Sequence, residues 1–204
     1  MALIVNDNTR WWAILSLFLY CPACNLARGV NDMTQPLSIT VVVSKPQLTT
    51  GDRLTITATI RNISSETFHF MATPDPYPTA HVKLFSVGDT RPLHSYITSI
   101  FEIAPLSRRD FVELHPGDQV TMSFGAELRQ EAIHDRERKG HPVVRGLFLV
   151  FQHSSILIPS KGTYALRFQI RTGEIVSREA QEKFDIRDVW TGKVVSDPVE
   201  IVVR

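Results

Sequence analysis

Alternation of apolar and polar residues is the feature that most constrains the fold of this chain, because it recurs from residue 37 to residue 203. In the clearest run, Leu54, Ile56, Ala58 and Ile60 alternate with threonine and arginine. Successive side chains of a β-strand point to opposite faces, so such a run predicts a strand with one buried and one solvated face. We count about nine runs of this kind, which together predict an all-β fold.

Turn signals separate the predicted strands. Thr49-Thr50-Gly51-Asp52 and His115-Pro116-Gly117-Asp118 place glycine, proline and aspartate where tight turns use them. Pro159-Ser160-Lys161-Gly162 precedes a run led by Tyr164, and residues 199–203 form the last alternating run. Such spacing is typical of antiparallel sheets, and the chain is long enough for one large sandwich of two sheets.

Residues 126–141 break the alternation and are rich in charge. They predict a short helix that ends at Gly140, or a charged loop, inserted between two strands. The nearest approach to a metal site lies here, in the four side chains of His134, Asp135, Glu137 and His141. Three neighbouring cations would repel a metal ion, so we interpret the segment as a solvated charged loop.

The N-terminal region contains a run of ten uncharged, mostly apolar residues, 11–20. As a helix this run would rise only about 15 Å, half of the roughly 30 Å hydrocarbon core, which fits a signal peptide better than a membrane span. Small residues allow cleavage after Ala23 or after Gly29. The sequence therefore predicts a leader over 1–29, cleaved or kept as an anchor, a linker over 30–36 and a single domain over 37–204.

Both cysteines of the chain, Cys21 and Cys24, lie beside this apolar run, so no disulfide can stabilise the body of the protein. Cys24 directly follows Ala23, which is also the arrangement of a lipidated cysteine in a bacterial lipoprotein. We expect the protein to be extracytoplasmic, either periplasmic or secreted. Contact with a membrane would come only through the leader or through a lipid on Cys24.

Charge and motif content argue against several functions. Lys and Arg (22) nearly balance Asp and Glu (21), and no basic stripe with interleaved aromatics is present. Nucleic acid is therefore not an expected partner. The chain also lacks the usual zinc spacings, a nucleophile elbow, a phosphate loop and a dinucleotide fingerprint. We expect no catalytic residues, no cofactor and no metal.

Several segments together resemble bacterial extracytoplasmic immunoglobulin-like domains. These are Gly51-Asp52 before a strand that ends in Asn62, Leu114-His115-Pro116-Gly117-Asp118, Gly162-Thr163-Tyr164, Trp190-Thr191-Gly192 and Ser196-Asp197-Pro198-Val199. The resemblance implies an immunoglobulin-like antiparallel β-sandwich. It also implies a tyrosine corner, in which the phenol of Tyr164 bonds back to the main chain where the chain crosses between sheets.

The function that best fits these features is a non-enzymatic exported module that binds a protein or a cell-envelope component. Candidate partner contacts are Asp75 and Tyr77, in a proline-spaced loop, and Trp190, for which packing in the core is the alternative. A second hypothesis is a proteinase inhibitor that inserts the loop 72–80 into an active-site cleft. A hydrolase would require a convergent cluster of catalytic residues that the sequence does not reveal.

Overall fold

The protein is mostly β-structure, in sheets that are almost entirely antiparallel. The computed structural model describes residues 35–72, 81–98, 105–135 and 139–204. In chain order, the strands within these ranges are β1 (Leu37–Val43), β2 (Gln47–Leu48), β3 (Arg53–Asn62), β4 (Phe68–Met71), β5 (Val82–Ser86), β6 (Ser95–Ile97), β7 (Phe111–Leu114), β8 (Gln119–His134), β9 (Val143–Val150), β10 (Ser154–Ile158), β11 (Gly162–Thr172), β12 (Gly192–Val195) and β13 (Val199–Val203). The described helices are a 3₁₀ turn, Arg108–Asp110, and an α-helix, α1 (Glu174–Phe184).

The larger sheet has six antiparallel strands in the order β1-β3-β8-β9-β10-β6. Strand β3 lies between the edge strand β1 and β8. Its even-numbered residues are buried while its odd-numbered residues face outward, as the alternation predicts. The 16-residue strand β8 continues beyond β3 and forms a long hairpin with β9. This sheet therefore has a broad outer face built mainly from β3, β8 and β9.

The second sheet is centred on β11, which pairs with β5 on one side and with β12 and β13 on the other. The short strand β2 adds to β13 in parallel, the one parallel pair among the named strands of the described residues. A separate two-stranded sheet, β4 with β7, lies beside α1. Phe111 on β7 packs with Ala180 on the helix, so α1 has a small apolar cluster of its own.

One main cluster of buried side chains joins the two larger sheets, as in a β-sandwich. It contains Ile56 and Phe124 from the six-stranded sheet and Leu166, Phe168 and Ile201 from the other. The chain crosses between these sheets from β10 to β11. At that crossing the Tyr164 hydroxyl donates a hydrogen bond to the carbonyl oxygen of Ser160. The structure thus contains the phenol-to-backbone bond that the resemblance implies.

Two predictions about individual elements differ from the structure. The expected helix or charged loop at 126–141 is wrong, because residues 126–134 complete β8. Ala126 and Leu128 continue the buried row of this strand, and the charged residues between them face outward. The strands number thirteen in the described residues against the predicted nine. Strands β2 and β6 have only two and three residues, and the side chains of β10 and β12 do not alternate between buried and exposed.

Candidate functional site

A row of charged side chains lies on the outer face of the six-stranded sheet. Along β8, Glu127, Arg129 and Glu131 alternate with residues on the opposite side, of which Leu128 is fully buried in the core. Because strand side chains have a period of two, the three charged residues share the outer face. Arg53 on β3 is paired with Glu127 in the ladder and extends the row to the neighbouring strand.

These side chains line a concavity of about 500 Å³. Its lining residues include Arg53, Thr55, Thr98, Glu127, Arg129, Glu131 and Gln152. Gly125 lies opposite Thr55 in the ladder, and a Cβ atom at this position would meet no other atom within 4 Å. Because Gly125 has no side chain, the floor of the concavity is open. The backbone of this floor is held in place by the pairing of β3 with β8.

Glu127 is the centre of a small ion-pair group. Its Oε2 lies 3.6 Å from Nε of Arg53, and its Oε1 lies 3.3 Å from Nε of Arg129. The two arginine side chains are 88% and 48% exposed. Ion pairs this exposed contribute about 0–1 kcal/mol, so both guanidinium groups can exchange this partner for a ligand at little cost.

Glu131 has a carboxylate oxygen in the concavity that can still accept a hydrogen bond. Its Oε2 is buried and accepts no hydrogen bond from the described residues. It faces Gly146 across the β8–β9 ladder. A Cβ atom at Gly146 would lie 2.9 Å from Cδ1 of Leu157, so the packing of that leucine favours glycine here. A buried carboxylate oxygen without a donor is costly, which favours a ligand that brings a hydrogen-bond donor or a cation.

A turn at the edge of this face has a strongly stabilised carboxylate. Asp52 lies directly before Arg53, and its Oδ1 is 2.6 Å from Nζ of Lys45. Its other oxygen accepts hydrogen bonds from the backbone N–H and the hydroxyl of Thr49. The hydrogen bond from Lys45, together with those from Thr49, lowers the pKa of Asp52 from its ordinary 3.8 to about 2. The carboxylate of Asp52, in the turn directly before Arg53, is therefore charged at neutral pH, and its bonds to Lys45 and Thr49 persist there.

The structure describes only one of the site residues that the sequence nominates. Ala23, Cys24 and Gly29 of the leader lie outside the described residues, and so do Asp75 and Tyr77 of the proline-spaced loop. Trp190 is described, and it is 9% exposed in the main core. Its ring centroid lies 6.2 Å from that of Phe70. A partner contact through any of these residues stays a prediction.

Among the described residues, no three side chains of His, Cys, Asp or Glu lie close enough together to hold a metal ion. Of the four possible ligands near residue 134, Glu137 lies outside the described residues. Asp135 is buried, whereas His134 and His141 are exposed. The backbone N–H of Asp135 donates to the carbonyl oxygen of Pro142, a bond that spans the loop between β8 and β9. These residues are thus arranged around the end of a hairpin.

Comparison with known proteins gives no family assignment. No protein-family model matches the chain, and none of the curated proteins matches it. Within the described ranges, no helix combines the length and the hydrophobicity needed to cross a membrane. Arguments about function therefore depend on the geometry of the chain itself.

Sequence reasoning did not identify the concavity, although a signal was present. Glu127, Arg129 and Glu131 occur at every second position, with Ala126 and Leu128 among the intervening residues. That spacing indicates one charged face of a strand. Their charge density instead led to the prediction of a helix or loop. The contribution of Arg53 could not be predicted, because it depends on which strand lies beside β8.

Proposed function

We propose that this chain is a non-enzymatic binding module that recognises a protein partner through the concavity on its six-stranded sheet. The observation that carries the proposal is the buried Oε2 of Glu131, a hydrogen-bond acceptor that no described residue satisfies. The partner supplies a lysine or arginine side chain to this oxygen. Its own carboxylate or carbonyl groups bind the guanidinium groups of Arg53 and Arg129.

The chemistry of the lining favours a protein over a carbohydrate. The outward-facing side chains of the concavity are charged or polar except for Val150, and its one aromatic residue, Phe151, is buried in the core. Sugar recognition commonly uses an exposed aromatic ring for stacking, whereas mixed charges and hydrogen-bonding groups suit a polar protein surface. Cell-envelope proteins and secreted proteins are the corresponding partner classes.

We further propose that the fold is an immunoglobulin-like sandwich and that the protein acts outside the cytoplasm. The hydrogen bond from Tyr164 to Ser160 at a crossing between sheets supports the first statement. The apolar run at 11–20 supports the second. The intact mass of the protein from its native host tests export. Loss of residues 1–23 or 1–29, or a lipid increment on Cys24, is expected, and an unprocessed chain in the cytoplasm would contradict it.

Partner capture tests the binding function. Protein purified from its native host is immobilised and exposed to envelope and secreted fractions, with wild type compared with Glu131→Gln. This variant keeps the shape of the side chain and removes its charge. A partner held through a buried charge pair should bind at least about tenfold more weakly to the variant. Glu182→Gln, on the exposed surface of α1, is the matched control and should bind like wild type.

Three results would contradict the proposal. Equal recovery of every partner by wild type and Glu131→Gln would show that the concavity is not the binding site. If the protein hydrolysed ester or glycoside substrates, it would be an enzyme and not a binding module. If wild type and Glu131→Gln both inhibited a protease at stoichiometric dose, the result would instead favour the inhibitor hypothesis, which depends on the loop 72–80.

A further inference from the structure

The free edge of β1 differs in composition from the other edges of the sheets. Strand β1, Leu-Ser-Ile-Thr-Val-Val-Val, has seven residues, no charge and no proline, and four of its residues are β-branched valine or isoleucine. It pairs with β3 along one side, and no described strand pairs with its other side. Natural sheet edges are commonly protected by charge, proline or short length, because an unprotected edge pairs with another chain.

The other edge strands of the two larger sheets have such protection. Strand β6 has only three residues and β2 only two. Strand β12 has an exposed Lys193. On β5, the carbonyl oxygen of Leu84 accepts a hydrogen bond from the N–H of Leu93, so a loop occupies part of that edge. Among the described edge strands of the two larger sheets, β1 is therefore the long, neutral one that is open to pairing.

The hydrogen-bond pattern identifies which groups of β1 point outward. The N–H of Ile63 donates to the carbonyl oxygen of Pro36, and the N–H of Ser44 donates to that of Thr55, at the two ends of the β1–β3 ladder. Bonded and non-bonded pairs alternate in an antiparallel ladder, so the even-numbered residues of β1 bond to β3. The N–H and C=O groups of its odd-numbered residues point away from β3; these residues are Leu37, Ile39, Val41 and Val43.

We propose that this edge pairs with β1 of a second copy of the chain, in an antiparallel arrangement about a two-fold axis at Thr40. In this register Leu37 faces Val43 of the second copy, and Ile39 faces its Val41. Each outward-facing residue then exchanges both backbone hydrogen bonds with another outward-facing residue. The two six-stranded sheets become one continuous sheet across the dimer.

Side-chain chemistry favours a second copy of this strand as the occupant. The edge is neutral, so pairing with itself brings no like charges together. Its side chains on the core side are apolar in both copies, and two threonines at position 40 meet on the outer face. Such threonine pairs stabilise antiparallel strands. Val42, 62% exposed in one chain, gains a partner in Ser38 of the second copy.

Charge substitution at the two-fold axis tests the proposal. Thr40 is exposed, so Thr40→Lys and Thr40→Glu leave the fold intact, which far-UV circular dichroism checks. Sedimentation equilibrium of the full chain should show a dimer for wild type, and dissociation constants higher by roughly fivefold or more for each variant, because like charges then face each other. An equimolar mixture of the two variants should form a heterodimer at wild-type affinity or tighter.

A matched control and two contrary results complete the test. Thr121→Lys places the same charge on the same outer face, on β8 rather than on the edge, and should dimerise like wild type. A wild-type chain that stays monomeric into the millimolar range would overturn the proposal. So would a mixture of Thr40→Lys and Thr40→Glu that associates no better than either variant alone, because the two-fold register requires that rescue.

Discussion

Asn62 shows how one buried side chain holds three segments of backbone together. It is fully buried at the end of β3, where Nδ2 donates to the carbonyl oxygens of Glu66, at 2.7 Å, and Leu114, at 3.0 Å. Its Oδ1 accepts from the N–H and the hydroxyl of Ser64. The loop after β3 and the end of β7 are thus fixed to one amide group.

Replacing Asn62 by alanine should lower the free energy of unfolding by about 2–3 kcal/mol. The substitution leaves the buried carbonyl oxygen of Leu114 without this donor, and an unsatisfied buried group costs about 1–3 kcal/mol before the other lost bonds are counted. In urea denaturation the midpoint should fall with little change in slope. Ser65→Ala, an exposed neighbour, should have a small effect, and an equal loss in both variants would contradict this role.

At this scale the sequence predicts local chemistry well and distant contacts poorly. The turn at 115–118 is visible from its residues, and Gly117 has the positive φ of 89° that glycine adopts most easily. That Asn62 ends a strand is also visible. Its bond to Leu114 is not, because these residues are 52 positions apart and meet only through the sheet topology.

At the scale of elements, β8 explains why alternation predicted only the first part of the strand. Met122 and Phe124 face the main core, and Ala126 and Leu128 extend that row. Beyond Gln130 the buried side changes, because Ile133 packs with Tyr96 and Phe148 on the outer face of the sheet. A strand that buries one face and then the other loses its simple period of two. Together with its charges, this made the segment resemble a helix or a loop.

The helix α1 was missed for a different reason. Residues 172–183 form a polar stretch in the sequence, which predicts no buried element there, and most of the helix is indeed polar. Val176, Ala180 and Phe184 recur at every fourth position and pack in the small cluster with Phe111. This spacing is the signal of one narrow apolar face. This spacing is a weaker signal than the alternation of the strands on either side. The apolar face of α1 is buried only because β4 and β7 lie beside it.

The end of α1 offers a stabilising substitution. Asp185 at the C-cap has φ 52° and ψ 37°, the left-handed region, where a Cβ atom is unfavourable. Asp185→Gly should raise the free energy of unfolding by about 0.5–1 kcal/mol in thermal or urea denaturation. Its ion pair with Arg187 joins two well-exposed side chains and contributes little. Asp185→Ala keeps the Cβ atom, so an equal gain from alanine would contradict the explanation.

At the scale of the whole molecule, the candidate site depends on strand order more than on loops. The sequence directed attention to loops, because loops commonly bind partners on this class of fold. The concavity instead uses the outward side chains of β3 and β8 and the chain that follows β9. The faces of these strands can be predicted from alternation. Their adjacency results from long-range pairing, which one sequence does not reveal.

The last prediction concerns which part of the chain is needed to fold. Residues 35–204 form one compact unit, and the main buried cluster joins residues from β1 to β13 within it. A fragment of residues 35–204 should therefore unfold cooperatively in urea, with a free energy of unfolding within about 1 kcal/mol of the full chain. A fragment of residues 47–204 is the comparison. It lacks Leu37, which is 1% exposed in the core, and it leaves the edge of β3 unpaired.

The shorter fragment should lose at least about 3 kcal/mol, because removing a buried leucine alone costs about 2–5 kcal/mol. Far-UV circular dichroism follows both transitions, and fluorescence of Trp190, the single tryptophan of either fragment, reports on the core. A fragment of residues 35–204 with no cooperative transition would show that the first 34 residues are needed to complete the fold. If residues 47–204 unfold like residues 35–204, then β1 is only an accessory edge. In that case β1 contributes to pairing between copies more than to the stability of one chain.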